Sequence, residues 1–167
     1  RDEVRKIAEK IKFYPEESRE ILEKWLKSIS IDWPISRRRF YATPIPLWNS
    51  YDGKLAALPP AGEYYEPWKE GSKPPEESEV MKDGRIIGRV SDKEFKDAKW
   101  KGETRVFDTW MDSSISELFI LKYHDNKEFK EFFNKAFPVT LRPQGKEIVR
   151  TWLYYTLLRG WLETKKP

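Results

Sequence analysis

The chain has 167 residues, enough for one ordinary domain with a core of its own. Its 32 basic and 28 acidic side chains leave a net charge of only +4, a mixed surface that permits contact with nucleic acid without demanding it. No cysteine is present, which excludes a disulfide framework and a thiolate metal site, and no apolar run approaches the ~18 residues of a membrane span.

There is no signal-peptide pattern, and the expectation is a soluble, cytoplasmic protein. The chain begins on Arg1 rather than a methionine, which reads as a piece of something longer.

"RDEVRKIAEKIKFYP" sets Val4, Ile7, Ala8 and Ile11 at helical spacing, with Pro15 as the stop. "EESREILEKWLKSIS" repeats the pattern with Ile21, Leu22, Trp25, Leu26 and Ile29. Residues 1–31 therefore read as two amphipathic helices. Three prolines and three successive arginines in "DWPISRRRFYATPIPLW" exclude a long helix over 32–48, so extended segments are expected there. Residues 49–103 are rich in Pro, Gly and charge and read as an irregular knob, with two short strands at "GRIIGRV". From 104 to 167 the order is a strand "ETRVFDTW", a helix "NKEFKEFFNKAF", a short strand "PVTLRP" and an apolar helix "GKEIVRTWLYYTLLRGWLE". That order predicts an α/β fold, with parallel strands joined by crossover helices.

In open parallel sheets, ligands sit beyond the carboxyl ends of strands. "DTWMDSS" and "RPQGKE" occupy such positions. Gly145 permits close backbone approach. Glu147, in the first helical turn, is placed either to accept hydrogen bonds from ribose hydroxyls or simply to complement the helix dipole. Ile148 and Trp152 are four residues apart and share a helix face. With Trp110 they would enclose a small, rigid aliphatic cavity, against the competing reading of ordinary core packing. Asp108 and Asp112 read as residues that fix the turn around Trp110. The single histidine, His124, stands in "KYHDN" and reads as a surface turn.

Three segments, "DWPISRRRFYATPIPLW", "VFDTWMDSS" and "LRPQGKEIVRTW", resemble in this order the class I aminoacyl-tRNA synthetases of the valine/isoleucine/leucine group. Laid along that family, the chain runs from the return out of the editing insertion to the helix after the ribose-binding turn. The form "RPQGKEIVRTW" is most similar to the archaeal type of the valyl-tRNA synthetase family.

The resemblance implies the second half of a Rossmann-like catalytic domain, with a knob-like β insertion and N-terminal helices. It implies that Trp110 and Trp152 line the amino-acid pocket and that Ile148 narrows it. Gln144, Gly145 and Glu147 would form the ATP ribose-binding turn, with Glu147 standing where the family more often has aspartate. Arg37 and Arg39 would contact the tRNA acceptor end, or form a structural salt bridge. The implied partners are valine, ATP with magnesium, tRNA(Val) and the rest of the synthetase, including its other catalytic half and its editing and anticodon domains.

Two departures matter. Neither signature motif, of the HIGH or KMSKS type, occurs in these residues, so no catalytic residue is assigned to this chain and activity alone is expected to be slight. The cysteine pairs that usually hold zinc after "TPIPLW" are absent, so no zinc is expected and Tyr64, Tyr65 and Trp68 would hold the knob. The alternatives are an isoleucyl-tRNA synthetase fragment, or a non-catalytic relative that binds tRNA or another protein.

Overall fold

The computed structural model describes residues 1–123 and 127–166. They divide into a helical unit, Arg1–Pro34 with Thr109 onward, and a sheet unit, Ile35–Asp108.

In the helical unit, α1 (Asp2–Glu9) opens on Asp2 and Glu3, which suit the positive end of the helix dipole. Val4, Ile7 and Ala8 are its buried stripe. The helix ends at Glu9, well before Pro15. Arg19 reaches back from α2 (Glu17–Ser28) and donates to the carbonyl oxygens of Ala8, at 2.7 Å, and of Ile11. The Ala8 carbonyl also accepts from the Ile11 N–H at 3.2 Å, so Arg19 ties the turn that follows α1 to α2. Leu22 and Leu26 of α2 join Val4, Ala8, Val149, Leu153, Tyr154 and Tyr155 in one core. Trp33 stacks on Tyr155 with ring centroids 3.8 Å apart.

Two short helices, α3 (Thr109–Ser113) and α4 (Ser116–Ile120), precede α5 (Lys127–Ala136). Leu118, Leu121 and Phe133 form a second small core, where Phe133 stacks on Phe137 at 5.0 Å. The last helix is less regular than its apolar pattern predicts. It enters through a 3-10 turn, Lys146–Ile148, widens into a π turn, Val149–Leu153, and continues as α6 (Tyr154–Thr164).

The sheet unit begins with β1 (Ser36–Arg37) and ends with β7 (Val106–Phe107), which pair antiparallel. Between them, β2 (Trp48–Ser50), β3 (Ala56–Leu58), β4 (Glu79–Lys82), β5 (Arg85–Arg89) and β6 (Trp100–Gly102) form a sheet in the order β5-β4-β3-β2-β6. The stretch that reads as irregular is thus an ordered meander with a β6 return. Two Asp-Gly pairs make its tight turns. At Asp83-Gly84 both residues have positive φ, 48° and 76°, the requirement of a two-residue hairpin turn. At the other, Asp52 accepts from the Ser50 hydroxyl at 2.6 Å and from the Lys54 N–H at 3.2 Å.

Trp48, Ala57 and Val80 are the buried apolar residues of this sheet, and Phe95, from the turns between β5 and β6, is buried beside Gly88. Tyr65 meets Trp48 edge-on at 6.1 Å, but Tyr64 and Trp68 are exposed and do not hold the knob. Gly102 takes part of that role, since a Cβ there would fall 1.8 Å from the Pro67 carbonyl oxygen.

Helices and sheets together make the fold mixed α/β, as the sequence predicts. The parallel arrangement does not appear among the described residues, where every ladder is antiparallel. The predicted strand "PVTLRP" takes part in no ladder. An extended segment becomes a strand only where another backbone supplies the ladder, and Val139 and Leu141 instead lie exposed.

Candidate functional site

Trp110, Asp112, Gln144, Gly145, Glu147, Ile148 and Trp152 lie in the helical unit, whereas Arg37, Arg39 and Asp108 lie in the sheet unit. His124 falls outside the described residues.

Trp110 is carried by α3 and packs, half-buried, against the core of the helical unit. Trp152 sits in the π turn, and its indole N–H donates to the Ser113 carbonyl at 2.9 Å. Both tryptophans are therefore tied to the same short helix, Trp110 as part of it and Trp152 by a bond to its last residue. One face of the Trp152 ring is covered by the Arg142 guanidinium, 3.9 Å from the centroid. Only its remaining surface is open to packing or to a ligand. Ile148 ends the 3-10 turn and is half-buried. Asp112 is exposed on α3.

Gly145 and Glu147 meet directly. A Cβ on Gly145 would lie 2.2 Å from a Glu147 carboxylate oxygen, so the carboxylate lies against the glycine Cα. Any side chain at Gly145 would displace it. The Oε1 of neighbouring Gln144 is a buried acceptor with no hydrogen-bond partner among the described residues. Glu147 also lines an open groove of about 730 Å³ with Ile21, Lys24, Trp25, Ser28, Lys146 and Arg150. Three cations and one carboxylate around a tryptophan give that groove a basic, partly apolar wall.

Sequence reasoning missed Arg142 and Glu117. Arg142 donates to Glu117 Oε2 at 2.9 Å, to Ser116 Oγ at 3.2 Å and to Thr156 Oγ1 at 2.9 Å. Burial pushes the Glu117 carboxyl above its ordinary range, and the nearby Arg142 charge opposes that rise. Burial also lowers Arg142 from its usual value. The available signal was a lone charge within each of two apolar stretches, "SELFI" and "PVTLRP", but nothing local shows that the two charges meet.

In the sheet unit the β1–β7 register sets Arg37 opposite Val106, and the Arg37 guanidinium bonds the buried Asp108 carboxylate. The Asp108 N–H donates to the Ile35 carbonyl at 2.7 Å. The salt bridge read as one possibility for Arg37 is thus formed, and the Arg37 side chain stays one third exposed, at 33%. Arg39 is exposed. Glu103 is held by Arg105 and by the backbone N–H groups of Thr104 and Arg105, chiefly through the side-chain bonds, and its carboxyl is pulled down to about 2.

Among the described residues no three His, Cys, Asp or Glu come together to hold a metal ion. No described helix is long and apolar enough to cross a membrane.

The family described as "tRNA synthetases class I (I, L, M and V)" matches residues 1–167. The chain is 45% identical over 160 residues, 93% of its length, to a protein of Pyrobaculum aerophilum named "Valine--tRNA ligase". It is 44% identical over its full length to the protein of that name from Aeropyrum pernix, and 43% identical over 99% to that of Nanoarchaeum equitans. These matches cover 18%, 18% and 20% of the three relatives, so the chain spans about a fifth of the length of the curated relatives it matches.

Proposed function

Since this chain belongs to the class I tRNA synthetases of the isoleucine, leucine, methionine and valine group, we propose that it serves the joining of valine to tRNA(Val) as part of a larger cytoplasmic ligase. In the first step the valine carboxylate attacks the α-phosphorus of ATP and pyrophosphate leaves. In the second, a hydroxyl of the terminal tRNA ribose attacks the acyl carbon and AMP leaves. The observation that carries the reading is the identity of 43–45% along nearly the whole chain to proteins named for that reaction.

In this reading the chain's own residues bind and orient. Trp110, Ile148 and the uncovered surface of Trp152 form an apolar wall for the valine side chain and keep water from it. Glu147 accepts from the ribose hydroxyls, and the buried Gln144 Oε1 accepts a further hydrogen bond from the nucleotide. Gly145 keeps the backbone close enough for both. Arg39 contacts the tRNA acceptor end, while Arg37 supports that strand through Asp108. Asp112 helps to fix the turn at α3.

ATP arrives with its own magnesium, and no three-residue metal set among the described residues holds one. Stabilisation of the phosphate charge falls to the signature motifs, which this sequence does not contain. The remaining synthetase, with its other catalytic half and its editing and anticodon domains, is therefore the chain's first partner.

The test is amino-acid-dependent ATP–pyrophosphate exchange in the intact ligase that carries this chain. Trp110→Ala is expected to enlarge the pocket and raise activation of isoleucine relative to valine. Unchanged isoleucine activation in a folded variant removes Trp110 from the pocket, and an intact enzyme that prefers another amino acid overturns the valine reading.

A further inference from the structure

We propose that Arg142 is a positioning residue for the amino-acid pocket, holding the Trp152 indole against the end of the helix that carries Trp110. The inference rests on the reading of both tryptophans as pocket walls. It adds that their spacing, and so the size of side chain accepted, is set by a residue on neither wall.

Trp152 has two attachments. Its indole N–H is bonded to the Ser113 carbonyl, which fixes the edge of the ring. Its face is covered by Arg142 at 3.9 Å, which fixes the tilt. The tilt is only as firm as the guanidinium plane, and three acceptors hold that plane. Glu117 and Ser116 come from α4, and Thr156 from α6. Glu117 is in turn packed over Gly160, where a Cβ would come within 3.5 Å of its carboxylate. The Arg142 side chain is thus clamped between two helices while its guanidinium carbon sits over the tryptophan ring.

Lysine can keep the ion pair with Glu117. It cannot serve three acceptors in one plane or lie flat on an indole. Arg142→Lys therefore separates positioning from charge balance. The double substitution Arg142→Met with Glu117→Leu removes both charges and leaves an apolar filling, so neither charge is stranded.

The measurement is valine- and isoleucine-dependent ATP–pyrophosphate exchange in the intact ligase, with folding of each variant checked by circular dichroism and thermal melting. Arg142→Lys and the double variant are both expected to lower the valine-over-isoleucine ratio of kcat/KM by about tenfold, the order of one methylene in an apolar pocket. The loss should enter through KM for valine, with KM for ATP unchanged. A residue of structural importance alone would move the melting temperature and leave that ratio where it was. If either folded variant keeps the parent ratio while Trp152→Phe lowers it, the pocket reading stands and the role of Arg142 is overturned. If Trp110→Ala and Trp152→Phe also leave the ratio unchanged, the pocket reading has failed, and this inference with it.

Discussion

The two units each bury a glutamate against an arginine, and the two carboxyls move in opposite directions. Glu103 of the sheet unit and Glu117 of the helical unit have nearly equal side-chain exposure, 7% and 6%. Glu103 receives two guanidinium bonds and two backbone N–H bonds, and its arginine is 48% exposed. Its carboxyl falls to about 2. Glu117 receives one guanidinium bond, because Arg142 divides its donors with Ser116 and Thr156 and is itself only 16% exposed. Its carboxyl rises. At Glu117 burial outweighs the single guanidinium, whereas at Glu103 the bonds from Arg105 outweigh burial. The sign therefore follows the balance between burial and the donors that converge on the carboxylate.

The sharpest way to break this contrast is to remove each arginine. Arg142→Met strands a buried carboxylate and is expected to cost about 3 kcal/mol. Arg105→Met leaves Glu103 its backbone donors and should cost about 1 kcal/mol. Amide exchange in α4 and α6, against that in β2 and β6, reads the two losses locally. Equal losses would show that donor number is not what separates the pairs.

A smaller effect comes from pH. The folded-state value of Glu103 lies below its ordinary 4.5, so between about 2 and 4.5 the unfolded chain binds more protons. Its contribution is present above 4.5 and fades as the pH falls toward about 2. Glu117 lies above its ordinary 4.5, so the folded chain holds the proton more tightly. Its contribution is present below 4.5 and is lost as the pH rises above that value. The urea midpoint followed against pH should lose its acid slope in Glu103→Gln and flatten on the other side of 4.5 in Glu117→Gln. The same slope in both variants would sink the opposed assignment.

The smallest change is expected at a pair with neither burial nor converging donors. Lys135 and Glu131 are bonded at 2.6 Å on an open face of α5. Lys135→Ala should alter stability by no more than about 0.5 kcal/mol. A larger loss would mean that burial matters less to these pairs than the contrast requires.

Much of the helical unit was legible in the sequence. Val4, Ile7 and Ala8 keep the helical period in α1, as do Leu22 and Leu26 in α2, and the structure buries all of them. The β meander was legible in principle, since "YDGK" and "KDGR" each carry an Asp-Gly turn, yet the prolines and charge around them obscured it. The predicted strand at "PVTLRP" shows the opposite failure. A β-like run of residues says only what a strand would accept, and pairing depends on what lies beside it.

The amino-acid sequence by itself determined which stretches are amphipathic, where Gly and Asp-Gly bend the chain, and which family the chain resembles, because these are properties of residues close together or of a motif order. Only the tertiary structure decided that Arg37 pairs with Asp108, that Glu147 lies against Gly145, and that Arg142 bonds Glu117 while covering Trp152. Arg37 and Asp108 stand 71 positions apart and Arg142 and Glu117 stand 25 apart, and no local pattern encodes a hydrogen bond across such a distance. Folding brings each donor to its acceptor, and the water excluded there settles whether the charge is held or resisted.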